Sequence, residues 1–256
     1  WTTTPWTLTS NISIAINIDL EYLKIKTSDN SIYYIAEENL KFQRLEKQFK
    51  DKKQWIKDIP KLKTLEQLFN ERGGYSILDT IKGNQMLDWK YSGPFDNFKA
   101  SNIAGGHPFT NDTLKEEGIT AVDCHRVIDG GKDNLGQDIV VSGEGTGIVH
   151  IATGCGSVDN KIGKKLGLVE ISPLDDEAKY IEGFDWLTGC SATDHSTRDD
   201  IIDYLKKNDF LFYQEEYPHV YPHCWRSGDE LVYRTVDEWY INMDWRDDIS
   251  KIVKDI

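Results

Sequence analysis

The sequence lacks the marks of membrane, exported and zinc-binding proteins. No apolar run approaches the ~20 residues that span a bilayer, and the polar, threonine-rich N-terminus has no basic segment of the kind that opens a signal peptide. None of the four cysteines belongs to a C-x-x-C pair, so no structural zinc site is expected. These absences predict a cytoplasmic protein with reduced thiols and no membrane partner.

Positive charge is also scarce. The chain carries 30 Lys and Arg residues against 43 Asp and Glu residues, and its formal net charge is −13. Phosphate binding depends on Lys and Arg, so this balance argues against a broad nucleic-acid coat, and we expect no DNA partner. Lysines cluster at 161–165 and between residues 41 and 63. Charge alone favours the interpretation of both clusters as solvated helix faces.

The apolar pattern predicts an α+β fold that is rich in β-structure. Strands are predicted within 12–27 on either side of a turn at 17–19, and at 31–36, 75–95, 124–129, 138–142 and 210–241. Helices are predicted over 37–60, over 64–72 with Thr64 as the cap, and over 194–209 with Ser196 as the cap. We expect one barrel-like domain over residues 1–256, closed or nearly closed, with peripheral helices and 37–72 as a helical excursion.

The first candidate site segment is WTTTPWTLTSN at residues 1–11. In an extended strand, Thr2 and Thr4 would share a face, and Pro5 favours extended geometry in the residue before it. Two aligned hydroxyls beside Trp6 suit hydrogen bonding to a ribose or a base. Threonine is also a good strand residue, and for this segment alone that plainer interpretation is favoured.

The second candidate segment is GTGIVHIATGCGSVD at residues 145–159. Its glycines permit a close backbone approach to a ligand, but the text matches neither a phosphate loop nor a dinucleotide fingerprint. His150 on an apolar strand is by itself more often a satisfied core residue. Asp159 is a candidate helix cap, a role compatible with ligand binding. No G-x-S-x-G is present, and Cys155 has no mark of a nucleophile beyond its nearness to His150.

Together the two segments resemble the editing domain of isoleucyl-tRNA synthetases. Weaker similarities are YSGPFD at 91–96 and the tail at 221–243, which resembles the return segment toward the catalytic domain of the parent enzyme. T-T-P-W and V-H-x-A favour this family over the related valyl and leucyl editing domains, which remain alternatives. The chain departs from the family at Thr153, where a proline is common, and at Ser227, where a second cysteine is missing.

The resemblance implies proofreading by hydrolysis of mischarged valyl-tRNA(Ile). It implies that Asp159 holds the α-ammonium group, that Thr4 binds near the ester, and that His150 either excludes isoleucine or orients the attacking water. The substrate-binding residues that it implies are Trp1, Thr2, Thr3, Trp6, Asn11, Gly145, Thr146 and Cys155.

The resemblance implies no metal and no cofactor for this reaction. ATP and Mg²⁺ belong to the synthetic site of the parent enzyme, whose H-I-G-H and K-M-S-K-S signatures are absent from the sequence. We therefore interpret the chain, which begins at Trp1, as a monomeric fragment of a longer isoleucine–tRNA ligase. Its expected partners are the tRNA(Ile) 3′ end carrying valine and the remainder of the synthetase.

Two alternatives come from other functional classes. A non-catalytic module that recognises a nucleoside or a tRNA end would bind without hydrolysis. A metal-dependent hydrolase built on His150, Asp159 and His125 would lose activity with a chelator. The absence of C-x-x-C and H-E-x-x-H text weighs against the second alternative.

Overall fold

Six strands form two separate three-stranded sheets in the part of the chain that the structure describes. The structure is a computed structural model, and it describes residues 1–43, 61–133, 135–236 and 238–254. In the first sheet, β1 (Ser13–Ile16) lies between β5 (Val127–Asp129), which is parallel to it, and β6 (Val149–Ile151), which is antiparallel. In the second, β2 (Glu21–Thr27) lies between antiparallel β3 (Ile32–Ala36) and β4 (Tyr75–Lys82).

The first sheet is short and deeply buried. Ile14 on its central strand pairs with Val127 on one side and with His150 on the other. Strand β1 contributes Ala15 and Ile16, both fully buried, to the core. A strand buried on both faces is expected to be mainly apolar, as residues 12–16 are; the buried Ser13 is the exception, and its hydroxyl donates to the Cys124 carbonyl at 3.0 Å. This sheet therefore holds His150 beside the main core.

The second sheet is antiparallel throughout and packs on a short helix. Leu23 and Ile25 point from β2 into a small apolar cluster with Leu68 and Phe69 of helix α1 (Leu65–Glu71). Thr64 caps this helix: its hydroxyl accepts from the Gln67 amide, and the Gln67 side chain accepts from the Thr64 amide. The reciprocal bonds satisfy two amides that the first helical turn leaves free.

Four more α-helices and five short 3₁₀ segments complete the described chain. The helices are α2 (Asp112–Glu116), α3 (Ser157–Leu166), α4 (His195–Lys207) and α5 (Arg246–Lys254). The 3₁₀ segments are Pro5–Ser10, Glu37–Asn39, Gly83–Met86, Ala100–Asn102 and Asp185–Leu187. No helix among these residues is long and apolar enough to cross a bilayer.

The predicted α+β class is confirmed, as are the strand–turn–strand of residues 12–27, the strand at 31–36 and the helix capped by Thr64. The sheets do not close into a barrel over the described residues, because β1 and β2 belong to different sheets on either side of the turn. Of the helix predicted over 37–60, the described residues 37–43 contain only a 3₁₀ turn at Glu37–Asn39, and residues 44–60 lie outside the described part.

Three local predictions are wrong. Residues 138–142 form only an isolated bridge, between Lys132 and Asp138. The described residues of 210–241 contain no strand and a single bridge, between His223 and Glu230, although the aromatic alternation predicted several. A strand needs a neighbour as well as an apolar pattern, and this segment instead runs across the surface of the core. Helix α4 begins at His195, so the residue before it is Asp194 and the predicted cap, Ser196, lies inside the helix.

Candidate functional site

A cavity of about 480 Å³ opens where three distant segments meet. The walls come from the N-terminal threonine segment, from residues 139–159 and from the tail at 221–233. Of the eleven residues predicted for the site, nine line this cavity: Trp1, Thr2, Thr3, Thr4, Trp6, Thr146, His150, Cys155 and Asp159. Gly145 lies directly behind the lining, and Asn11 lies outside the cavity.

The threonine segment is a turn leading into a 3₁₀ helix, which corrects the strand predicted for it. The Thr4 amide donates to the Thr2 hydroxyl at 3.0 Å, and the helix begins at Pro5. Proline suits this first position because its φ is already helical and its missing N–H would have had no helical partner. The turn brings the hydroxyls of Thr3 and Thr4 within 3.5 Å of each other. The segment therefore presents its hydroxyls as a cluster and not as an alternating row.

The glycine loop before β6 forms the wall beside Trp1. Gly145 has a φ of +53°, and a Cβ atom there would lie 2.8 Å from the Trp1 indole ring. Only glycine allows the loop to lie this close to the ring without displacing it. Glu144, Thr146 and Gly147 of the same loop line the cavity.

His150 is fixed by one hydrogen bond and has one free nitrogen. Its Nε2 lies 3.0 Å from the Thr7 hydroxyl, which donates its single proton to the Thr4 carbonyl at 2.8 Å. Nε2 must therefore carry a proton and donate to Thr7, so Nδ1 is an acceptor. Nδ1 is buried and has no partner among the described residues. Burial, with a smaller effect of the Trp1 ammonium group, lowers the pKa of His150 to about 3, so the ring is neutral.

Asp159 lies in the first turn of α3 with its carboxylate at the cavity. One oxygen, Oδ2, accepts from the Ala152 amide at 2.9 Å, and no described residue donates to Oδ1. The residue before the helix is Gly156, so Asp159 is not the cap that the sequence suggested. Burial raises the pKa of Asp159 to about 6, while the bond from Ala152 acts in the opposite direction. The carboxylate is thus mostly ionised at pH 7 and is only partly solvated.

Cys155 and the tail complete the floor and the remaining wall. Burial raises the pKa of the Cys155 thiol far above its ordinary value, so it is a neutral, small lining group and not a nucleophile. Tyr221, Pro222, Leu231 and Tyr233 line the cavity from the tail. Sequence reasoning missed these four residues because nothing in the linear text joins residue 233 to residue 1. An edge-on contact between Trp1 and Tyr217 (ring centroids 5.1 Å apart) helps to hold the tail there.

Asn11 and His125 lie in the packing behind the cavity. The Asn11 amide donates to the Ser13 carbonyl at 3.0 Å, and its oxygen accepts from the Tyr91 hydroxyl. Both His125 nitrogens are occupied, by the Ile12 carbonyl at 3.0 Å and by Asp96 at 2.8 Å. His125 therefore has no lone pair for a metal shared with His150 and Asp159. No group of three or more His, Cys, Asp and Glu side chains in the described ranges is arranged as a metal site.

A second cavity, of about 610 Å³, lies against the outer face of α3. Lys161 and Lys165, one helical turn apart, line it, whereas Lys164 does not. Arg126 and Lys132 line it as well, but each has an acidic partner, Asp88 and Asp138. Ile139 lines both cavities, so the two are neighbours.

Comparison with known proteins gives a consistent set of relatives. The isoleucine–tRNA ligase of Methanocaldococcus jannaschii is 31% identical over 261 residues, which cover 100% of this chain and 20% of the relative. The enzyme of Treponema denticola is 33% identical over 244 residues, covering 95% and 19%, and isoleucine–tRNA ligase 2 of Bacillus anthracis is 30% identical over 241, covering 94% and 18%.

This chain is homologous to one segment of the isoleucine–tRNA ligases. The resemblance predicted from the two motifs is thereby confirmed. The chain spans about a fifth of the length of the curated relatives it matches. No family model matches it. Among solved structures, the crystal structure of GlLeuRS-CP1 is 12% identical with a TM-score of 0.47, covering 84% of this chain and 82% of that one. In this chain, the two motifs that carry the resemblance meet at one cavity.

Proposed function

We propose that this chain is the editing domain of an isoleucyl-tRNA synthetase and that its cavity hydrolyses valyl-tRNA(Ile). The observation that carries the proposal is the half-buried Asp159 carboxylate, which has a free oxygen at a cavity walled by clustered threonine hydroxyls. A carboxylate in a partly dry site is the natural partner of an ammonium group. An aminoacyl ester provides that ammonium, with a ribose and an adenine attached.

Recognition of the aminoacyl group divides among three parts of the cavity. Asp159 accepts hydrogen bonds from the α-ammonium. Thr2, Thr3 and Thr4 bind the ribose and the ester region, where their hydroxyls can both donate and accept. Trp1 and Trp6 provide aromatic faces for the terminal adenine, since base–aromatic stacking contributes about 1–3 kcal/mol per base.

Hydrolysis then requires one positioned water. The water oxygen bonds to the carbonyl carbon, the bond from that carbon to the ribose oxygen breaks, and a water proton passes to the ribose oxygen. With its pKa lowered to about 3, His150 is a poor general base. Its Nδ1 is buried out of reach of water, so the ring is instead suited to form the wall against the amino-acid side chain, and the threonine hydroxyls can position the water. An ester is reactive enough for positioning to suffice.

The need for such a site follows from the small difference between the two amino acids. One methylene is worth only ~1–3 kcal/mol in a hydrophobic pocket, and isoleucyl-tRNA synthetase is the standard illustration of this limit. A second site that admits valine and excludes isoleucine removes the remaining errors. The tRNA 3′ end and the remainder of the synthetase are the partners of this proposal.

The test compares hydrolysis of valyl-tRNA(Ile) and isoleucyl-tRNA(Ile) by the chain and by Asp159→Ala. We expect selective hydrolysis of the valyl ester, a loss of about 100-fold or more in kcat/KM for Asp159→Ala, and no effect of a chelator, because the proposed chemistry uses no metal. Asp203→Ala, which removes an exposed carboxylate of α4, is the matched control. Binding of adenosine without hydrolysis of either ester would instead favour a non-catalytic recognition module.

A further inference from the structure

The glycine loop 143–147 is held by the second sheet and by the 3₁₀ turn that follows β3, Glu37–Asn39. The Ala36 amide at the end of β3 donates to the Thr146 carbonyl at 2.9 Å. The Tyr22 hydroxyl of β2 donates to the Gly147 carbonyl, also at 2.9 Å. At Gly147, a Cβ atom would lie 2.4 Å from the Cβ of Ala36. The loop that walls the cavity thus rests directly on a sheet that contributes no lining residue of its own.

Asn39 makes the most extensive of these contacts. Its side-chain amide donates to the carbonyls of Glu144, at 2.9 Å, and Gly145, at 3.2 Å. Its side-chain oxygen accepts from the Gly143 amide at 2.7 Å. Asn39 is 1% exposed, so its side chain makes these three bonds from a position out of reach of water. A buried primary amide whose donors and acceptor all go to one loop fixes that loop in a single conformation.

The loop needs such a restraint because its backbone is unusual. Gly143 and Gly145 have φ values of +82° and +53°. Glycine adopts positive and negative φ values about equally well, so the loop backbone does not hold this conformation by itself. Gly143 packs against the Phe42 ring, three residues after Asn39. Gly145 packs against Trp1. A shift of the loop would therefore move Trp1 together with the wall formed by Glu144 and Thr146.

From these contacts we propose that Asn39 is a positioning residue for the editing site. It clamps the loop to the second sheet and so sets the distance between that wall and Trp1. This inference rests on the proposed function for its catalytic consequence, but the clamp itself does not. It also assigns a role to the second sheet, which otherwise lies apart from the chemistry.

The first measurement is hydrogen–deuterium exchange in Asn39→Ala. Exchange should rise over residues 141–148 and stay unchanged over 10–16, because β1 is held by β5 and β6 and not by Asn39. The matched control is Gln43→Ala, four residues further along the chain. It removes a hydrogen bond from the Gln43 side-chain amide to the Leu62 carbonyl. Unchanged exchange over 141–148 in a folded Asn39→Ala protein would overturn the clamp.

The second measurement separates positioning from stability. Asn39→Ala should raise the KM for valyl-tRNA(Ile) about tenfold with less than about a threefold change in kcat, because the loop contributes binding contacts while Asp159 and His150 lie elsewhere. Gln43→Ala should leave both constants unchanged. A wild-type KM in Asn39→Ala, measured where the protein is folded, would contradict the proposal. If the unaltered chain hydrolyses nothing, the proposed function fails, whereas the exchange result still decides the clamp.

Asn39→Asp provides an independent signature and a second variant should Asn39→Ala not fold. The carboxylate keeps the bond from the Gly143 amide but faces the Glu144 and Gly145 carbonyls with no proton to donate. Protonation restores one donor. The ratio of KM between this variant and wild type should therefore narrow from pH 8 to pH 5.5. A ratio independent of pH would count against the clamp.

Discussion

Two histidine regions lie on either side of strand β1, and they differ in how completely each ring is satisfied. His125 is 2% exposed, hydrogen-bonds through both nitrogens, with the Ile12 carbonyl and with Asp96, and stacks on Tyr91 with ring centroids 4.8 Å apart. His150 uses one nitrogen for Thr7 and leaves Nδ1 without a described partner. Both His125 nitrogens therefore have a hydrogen-bond partner, whereas among the described residues His150 has one for Nε2 alone.

The difference separates a structural residue from one available to a ligand. A buried polar group without a partner costs free energy, so a fold retains one only where something offsets the cost. His125 has no capacity left for a ligand. His150 has an acceptor beside a cavity and shares that cavity with Asp159. The same residue type on either side of β1 thus serves packing in one place and lines a cavity in the other.

The largest effect should come from breaking the satisfied pair. His125→Ala leaves Asp96 and the Ile12 carbonyl without their partner, and a buried acceptor left without a hydrogen bond costs about 1–3 kcal/mol, to which the lost packing of the ring adds. Urea unfolding of the two proteins measures this loss. The His150→Ala protein is the comparison and should lose less than half as much. Equal losses would remove the distinction between the two regions.

The next effect should appear in selectivity. His150→Ala removes the wall against the amino-acid side chain, so the preference for the valyl over the isoleucyl ester should fall by about 10-fold or more, within the range that one methylene provides. The ratio of the two kcat/KM values measures it. His125→Ala, studied at a temperature where it is folded, should keep the wild-type ratio. A preserved preference in His150→Ala would show that another residue excludes isoleucine.

A pH profile should report Asp159 and not His150. The carboxylate must be ionised to hold the ammonium, and its pKa is raised to about 6. The kcat/KM should therefore fall about tenfold per pH unit below 6 and level off above it.

Because the folded pKa of Asp159 lies above the ordinary value of 3.8, folding favours the protonated form, and Asp159 makes stability decrease as pH rises from about 4 to 6. Asp159→Asn should lack both dependences.

The smallest effect should come from the outer face of α3. If the tRNA backbone follows the second cavity, Lys165→Glu should weaken tRNA binding about threefold and reduce the salt dependence of the binding constant by roughly one phosphate contact. Lys164→Glu carries the same charge change on the adjacent residue, which does not line that cavity. Equal weakening by both variants would indicate long-range charge alone. Binding measured at several salt concentrations distinguishes the two.

Much of the local structure was readable in the sequence. Helix α1 has its cap, its apolar stripe and its terminal glycines within eleven residues, and all three agree with one another. The strands of residues 12–27 and the α+β class were likewise predicted from short-range periodicity. The two motifs indicated the family, and nine predicted site residues share one cavity. These features depend on neighbours close in the chain, which a sequence displays directly.

Only the tertiary structure decided which groups meet and which stay free. The Thr7–His150 bond joins residues 143 positions apart, and together with the bond from the Thr7 hydroxyl to the Thr4 carbonyl it fixes the tautomer that leaves Nδ1 unprotonated. The same holds for the Asn39 contacts to the glycine loop and for the tail residues beside Trp1. Residue type determines what a group can donate or accept. Whether that donor or acceptor stays unpaired depends on the partners that folding brings within about 3 Å, and no local sequence pattern records those partners.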